Sequence, residues 1–231
     1  MLTHPADQPL FIVSGSQPTA TVLFIHGLGT DGAQYSSLAE HLTQGVPDPI
    51  RFIFPTAPQR AVTICRGQRL TAWFDLLDTD FTALEDVAGL RSAEAYISSL
   101  IEAEIKRGIK PDRIIVAGFS QGAALSLLTG LRSSYRLGGI AAMSGWLPIA
   151  RELDVERSNA ARDTPVFIGH GVGDHITPLS MAEATRDWLE ARGSKVTWHT
   201  YSVGHSIAQD EILDLGHWLR DCLNCMPTTL A

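Results

Sequence analysis

Hydrophobic positions along this chain fall into two patterns that alternate. Short, nearly unbroken apolar runs occur at Thr21–His26, Arg51–Phe54, Arg113–Gly118, Gly139–Met143, Val166–Gly169 and Val196–Tyr201. Runs that do not alternate with polar residues predict strands of a parallel sheet covered on both faces. Between them, Leu90, Ala93, Ile97, Leu100, Ile101 and Ile105 recur at three- and four-residue steps with charged residues on the other side. That spacing predicts a helix ending near Gly108, with Pro111 beyond it. Met181–Arg192, closed by Gly193, and Gln209–Cys222, apolar at Ile212, Leu215 and Leu219, read as two further helices. Alternation of this kind predicts an α/β architecture: a mostly parallel, twisted sheet with right-handed crossovers and helices on both faces. No repeat, low-complexity tract or linker interrupts it, so residues 1–231 are read as one domain. The stretch Pro55–Asp86 follows no period, and its length predicts a functional loop or lid.

In a sheet of this class the functional groups lie beyond the carboxyl ends of the strands. One such end carries Gly118-Phe119-Ser120-Gln121-Gly122, a G-x-S-x-G between a buried strand and a small-residue helix. A serine on that turn presents its hydroxyl above the sheet as a nucleophile. It needs a base, and the base needs an orienting group, in the chain order serine, acid, histidine. His199 falls inside a predicted strand and His217 inside a predicted helix, whereas His205 follows the last strand in Val203-Gly204-His205-Ser206. Asp174, in His170-Gly171-Val172-Gly173-Asp174-His175, follows the strand before it. Ser120, His205 and Asp174 are therefore the expected nucleophile, base and orienting acid. Two backbone N–H groups should hold the oxyanion: that of Gln121, after the serine, and that of Leu28, in the glycine-flanked turn His26-Gly27-Leu28-Gly29. Leu28, Trp73, Leu76, Trp146, Leu147 and Ile176 are apolar residues placed to wall a substrate pocket.

Composition narrows the partners. Acidic residues outnumber basic ones 25 to 18, for a net charge of -7, and no Lys/Arg run exists. Nucleic acid is thus not an expected partner. Three cysteines do not make a disulfide framework. Cys222 and Cys225 form a C-x-x-C at the end of the last helix, where the dipole opposes a thiolate, so they read as helix-end residues rather than a redox or metal motif. The first residues lack a basic segment followed by an apolar core, and no apolar run approaches 18 residues. These features predict a cytoplasmic protein without a membrane span. The expected chemistry uses no cofactor and no metal.

Read together, HGLGTDG (26–32), FPTAP (54–58), AWFD (72–75), GFSQGAALS (118–126), SGWLP (144–148), HGVGDHITP (170–178) and GH (204–205) span nearly the whole chain. The set resembles the phospholipase/carboxylesterase family, which includes the acyl-protein thioesterases. The resemblance implies an α/β-hydrolase fold with a minimal cap. It carries the triad onto Ser120, Asp174 and His205, and the oxyanion hole onto Leu28 and Gln121. It also implies acyl-chain contacts from Trp73, Leu76 and Trp146. Ala123 stands where the family commonly has a second glycine, and the polar stretch 64–70 implies a differently shaped loop before Trp73. Some members dimerise beside the site, so a homodimer is among the expectations. The main functional expectation is a serine carboxylesterase acting on small to medium acyl esters. A thioesterase acting on acylated proteins, or a lysophospholipase, is the alternative, since all proceed through an acyl-serine. A non-catalytic binding module is a third class, set against the presence of all three triad residues.

Overall fold

The structure, a computed structural model, describes residues 8–224 apart from Gly45 and Pro47. Cys225, and with it half of the C-x-x-C, lies outside the described residues, as do the first seven positions. Seven strands form the central sheet: β1 (Leu10–Val13), β2 (Ala20–Ile25), β3 (Ile50–Phe54), and, beyond a separate hairpin, β6 (Ile114–Phe119), β7 (Gly139–Met143), β8 (Val166–Gly171) and β9 (Val196–Tyr201). The hairpin strands are β4 (Gln59–Val62) and β5 (Gln68–Thr71). The sheet order is β1-β3-β2-β6-β7-β8-β9, parallel throughout except for β1, which pairs antiparallel with β3.

Five strands are buried along most or all of their length, as their unbroken apolar runs require. Period-2 alternation divides their side chains between two cores. In β2, Leu23 and Ile25 face one core and Val22 and Phe24 the other. The first core is closed by α2 (Val87–Lys106), α3 (Gln121–Arg132), α4 (Ala150–Glu156) and α5 (Leu179–Glu190), the second by α1 (Leu38–Leu42) and α6 (Gln209–Asn224). The expected stripe on α2 buries Leu90, Ala93, Ile97 and Ile101. Asp86 caps that helix through its Oδ1, which accepts from Gly89 N at 2.9 Å, and Gly108 leaves it at φ +100°, a conformation suited to glycine.

Three elements differ from the sequence expectation. β1 is four residues long and mostly exposed, and α1 is five residues long, so neither shows a period. The stretch Pro55–Asp86 is not a structureless lid. It holds the β4–β5 hairpin, turned through Arg66 and Gly67 at φ 57° and 76°, and a bridge between Leu76 and Glu85. Its apolar residues Ala72, Trp73, Phe74, Leu76 and Phe81 join the first core. Each Leu or Phe so committed gains roughly 1.5–3 kcal/mol over exposure, which holds the segment against the core.

After β2 the chain crosses to β3 on one side. After β6 it crosses to β7 on the other. The crevice between the carboxyl ends of β2 and β6 is therefore the topological switch point, where this architecture binds its ligands.

Beyond β9 a loop runs to α6, and Glu211 in the first turn of that helix fastens its end. Glu211 is fully buried, and its Oε2 accepts from Ala208 N at 3.2 Å, the reciprocal half of a capping box. Burial pushes its carboxyl up to about 7, helped by nearby Asp214 and opposed by the Ala208 hydrogen bond. A carboxyl raised on folding favours the folded state most below its unfolded value. That contribution is lost as pH rises through about 7. Glu211→Gln should flatten part of the loss of stability between about pH 5 and pH 8, by about 3 kcal/mol at most. Denaturant melts across that range check it, and an unchanged slope would mean the carboxyl is ionised throughout.

Candidate active site

Ser120 sits between β6 and α3 at φ 56°, ψ -120°, a region where an L-residue is strained. The strain is held by the sheet, because Ser120 N donates to Met143 O at 2.8 Å. It also depends on two glycines. A Cβ on Gly122 would lie 2.1 Å from Ile25 O, and one on Gly118 would lie 2.3 Å from Gly122 O. Strand, turn and helix pass too closely for any side chain at either position. Gly145, after β7, is similarly confined, 2.4 Å from Ala123 Cβ.

The loops after β8 and β9 bring the other two residues to this serine. His205 Nε2 lies 2.8 Å from Ser120 Oγ, and His205 Nδ1 lies 2.7 Å from Asp174 Oδ2. Asp174 spends its other oxygen on its own loop: Oδ1 accepts from Ile176 N at 2.9 Å and Thr177 N at 2.8 Å. With both oxygens bonded the carboxylate cannot rotate, and Oδ2 faces the imidazole. Its side chain is fully buried, whereas that of His205 is 19% exposed. Phe119 packs against the imidazole at a centroid distance of 4.9 Å. His175, next to Asp174 in sequence, points into solvent.

The two expected oxyanion donors flank the crevice. Gln121 N is the first amide of α3, without an intrahelical acceptor. Leu28 lies in the turn leaving β2 and donates its amide to no protein group among the described residues. Two buried histidines brace the surroundings. His26 Nε2 accepts from Ala57 N at 3.0 Å, which leaves Nδ1 to donate to Gly27 O at 2.7 Å. His170 Nε2 lies 2.8 Å from Thr177 O, behind Asp174. Burial holds the pKa of each below the ordinary histidine value, so both are neutral near pH 7.

Leu28 apart, the expected pocket residues separate into three groups. Trp146 and Leu147, after β7, line a groove of about 640 Å³ with Ala150, Pro178, Met181 and Trp188. Trp73 and Leu76 are core residues instead, 1% and 7% exposed, and do not line that groove. Trp73 donates its indole N–H to His26 O at 2.9 Å, and its backbone N–H to Gln121 Oε1 at 2.8 Å. Ile176 is 59% exposed at the rim of the Asp174 loop. The roles of His26, His170 and the Gln121 side chain were not anticipated. A histidine closing a buried strand before glycine, at both 26–27 and 170–171, was the available signal.

Among the described residues no group of three or more His, Cys, Asp or Glu is arranged to hold a metal ion. No helix among them is long and apolar enough to cross a membrane.

Sheet order, elbow and crevice together define an α/β-hydrolase. The chain belongs to the phospholipase/carboxylesterase family, whose model matches residues 7–223. It is accordingly a serine hydrolase acting on ester or thioester bonds. It is 38% identical over 221 residues to acyl-protein thioesterase 1 of Gibberella zeae, covering 92% of this chain and 94% of that protein. Among solved structures it resembles acyl-protein thioesterase 2 of Zea mays, with a TM-score of 0.79 and 30% identity over 93% of this chain and 99% of that one. It also resembles a point variant of SOBER1 from Arabidopsis thaliana, with a TM-score of 0.84 and 27% identity over 88% of this chain and all of that one.

The glycine contacts make a sharp prediction. Gly122→Ala should displace α3 from β2 and destabilise the protein by several kcal/mol, on the order of an overpacked core. A thermal melt within about a degree of the parent would contradict the close approach.

Proposed function

We propose that Ser120, His205 and Asp174 form the catalytic triad of a thioesterase that removes acyl chains from protein cysteines, with the amides of Leu28 and Gln121 as its oxyanion hole. The observation that carries the triad is the unbroken chain of two hydrogen bonds, 2.8 Å and 2.7 Å, from serine hydroxyl to buried carboxylate. The thioester reading is supported by relatives named acyl-protein thioesterase along most of the chain. It is also supported by a groove that Trp146, Leu147, Met181 and Trp188 line together with the polar Thr79, Asp80 and Thr82; no triad residue borders it, and its mainly apolar wall suits a hydrocarbon chain. The same reading takes the chain as one domain built on the seven-stranded sheet.

Chemistry follows from the tautomer. Asp174 accepts from Nδ1–H, so Nε2 carries the lone pair and faces the serine O–H. As Ser120 Oγ attacks the acyl carbon, Nε2 takes its proton and the carbonyl oxygen becomes an oxyanion. The two amides stabilise that charge. The imidazolium then protonates the departing sulfur and the acyl-serine forms. A water attacks next, giving its proton to Nε2, and Ser120 leaves with a proton returned by the same nitrogen. Asp174 stabilises each imidazolium without being protonated itself.

A small-ester carboxylesterase would use the same groups, because the triad does not distinguish sulfur from oxygen in the leaving group. The decisive comparison is a palmitoylated cysteine peptide against its serine oxyester. The thioester should show kcat/KM higher by about tenfold or more, and equal or inverted values would favour a general esterase. Ser120→Ala should lower kcat by roughly four or more orders of magnitude with the melting temperature nearly unchanged. Turnover at the parental rate would place the nucleophile elsewhere. Asp174→Asn should cost roughly 10⁴-fold in kcat, read by steady-state kinetics, by permitting the wrong imidazole tautomer.

A further inference from the structure

We infer that Trp73 is a positioning residue for the oxyanion hole, acting through one hydrogen-bonded chain that joins the two amides proposed to hold the charge. The inference rests on the assignment of those amides to Leu28 and Gln121.

Begin at the Gln121 end. Its side chain is 1% exposed and bonded at both termini: Oε1 accepts from Trp73 N and Nε2 donates to Phe74 O, each at 2.8 Å. The residue whose amide faces the crevice is thus clamped to the 73–74 backbone. From that backbone the Trp73 indole reaches back, donating Nε1–H to His26 O at 2.9 Å. The indole is itself packed between the His26 ring, at a centroid distance of 5.0 Å, and the Tyr96 ring at 6.2 Å. Thr71 O, two residues earlier, accepts from Gly29 N at 2.8 Å. The segment 71–74 therefore grips the turn on both sides of Leu28.

The grip fixes a direction. A trans peptide is planar, so its N–H and C=O point opposite ways. Leu28 N–H shares its peptide with Gly27 C=O. That oxygen is held by His26 Nδ1 at 2.7 Å and Thr30 Oγ1 at 2.8 Å. Holding Gly27 O on one side turns Leu28 N–H toward the other. His26 can hold it only while its own main chain stays in place, and Trp73 is the side chain that anchors the His26 carbonyl. The contact is 47 residues long in sequence and fully buried. A buried indole N–H ordinarily finds an acceptor; what is particular here is that the acceptor is the carbonyl of the residue whose ring holds Gly27 O.

The test separates positioning from packing and from substrate contact. In one variant, Trp73→Phe keeps an aromatic ring without the N–H. In a second, Trp73 is replaced site-specifically by β-(3-benzothienyl)alanine, which keeps the bicyclic shape and exchanges N–H for sulfur. Both are assayed for kcat, KM, melting temperature and inhibition by an alkylboronic acid, whose tetrahedral serine adduct places an oxygen in the hole. The expected result is a kcat about ten- to a hundredfold lower, KM within about twofold, and a boronate Ki raised in step with the loss in kcat. For the isostere the melting temperature should fall by no more than about ten degrees, the cost of one buried carbonyl left without its donor. Should Trp73→Phe fail to fold, the isostere decides alone. Unchanged kcat and boronate Ki in the isostere would overturn the proposal. So would a raised KM at constant kcat, which would make Trp73 an acyl-chain contact. Ser120→Ala, assayed alongside, distinguishes the two levels: full activity there would fail the triad itself, whereas its loss with an indifferent isostere would fail only the tryptophan.

Discussion

Helix α3 approaches strand β2 so closely that a single methyl group at Gly122 would meet a carbonyl oxygen at 2.1 Å. The arrangement of the site descends from that contact. Because the helix starts immediately above the strand ends, Ser120 must turn the chain within one residue, at φ 56°. The turn lifts the hydroxyl clear of the sheet and leaves the first amide of the helix facing the crevice. The strain at Ser120 is local, and the packed layers around it sustain it. The Met143 carbonyl fixes its amide, and the helix that follows it is buried along nearly its whole length.

Charge is distributed around the serine with equal economy. The carboxylate of Asp174 is withdrawn from water, but three donors reach it, two of them backbone amides. His26 and His170 are buried, and burial lowers the pKa of each, although His170 Nε2 lies 3.6 Å from Asp174 Oδ2. They act as fixed dipoles that hold a turn and a loop. Of three histidines near the crevice, only His205 combines contact with solvent and a hydrogen bond to a carboxylate. On the proposed mechanism that combination suits it to carry the proton.

Much of this architecture was legible in the residue pattern. The buried parallel strands announce themselves as unbroken apolar runs, and their observed ends differ from the expected ones by a residue or two. The positions of Ser120, Asp174, His205 and Leu28 after four of those strands were also readable, because a parallel sheet collects its strand ends on one edge. What could not be read shares a physical cause. β1 and α1 are too short to show a period. The hairpin at 59–71 depends on a left-handed pair, Arg66 and Gly67, of which only the glycine is a recognisable turn former. Trp73 and Leu76 looked like pocket walls, because apolar residues in an aperiodic stretch carry no sign of which side of the sheet edge they fall on. The bonds from Trp73 to His26 and Gln121 span 47 and 48 residues. No local pattern encodes a contact of that separation.

The placement of His205 has one more consequence. On the proposed mechanism a single nitrogen, Nε2, first gives its proton to the departing thiol and then receives one from water. Both molecules must occupy the same spot above the ring, a side chain that solvent partly reaches. They cannot be there together. The first product therefore has to vacate before the second half-reaction can start, a ping-pong order imposed by geometry. Any alcohol or amine that fills the vacancy ahead of water would collect the acyl group itself, so the partition between hydrolysis and transacylation is decided at that one spot.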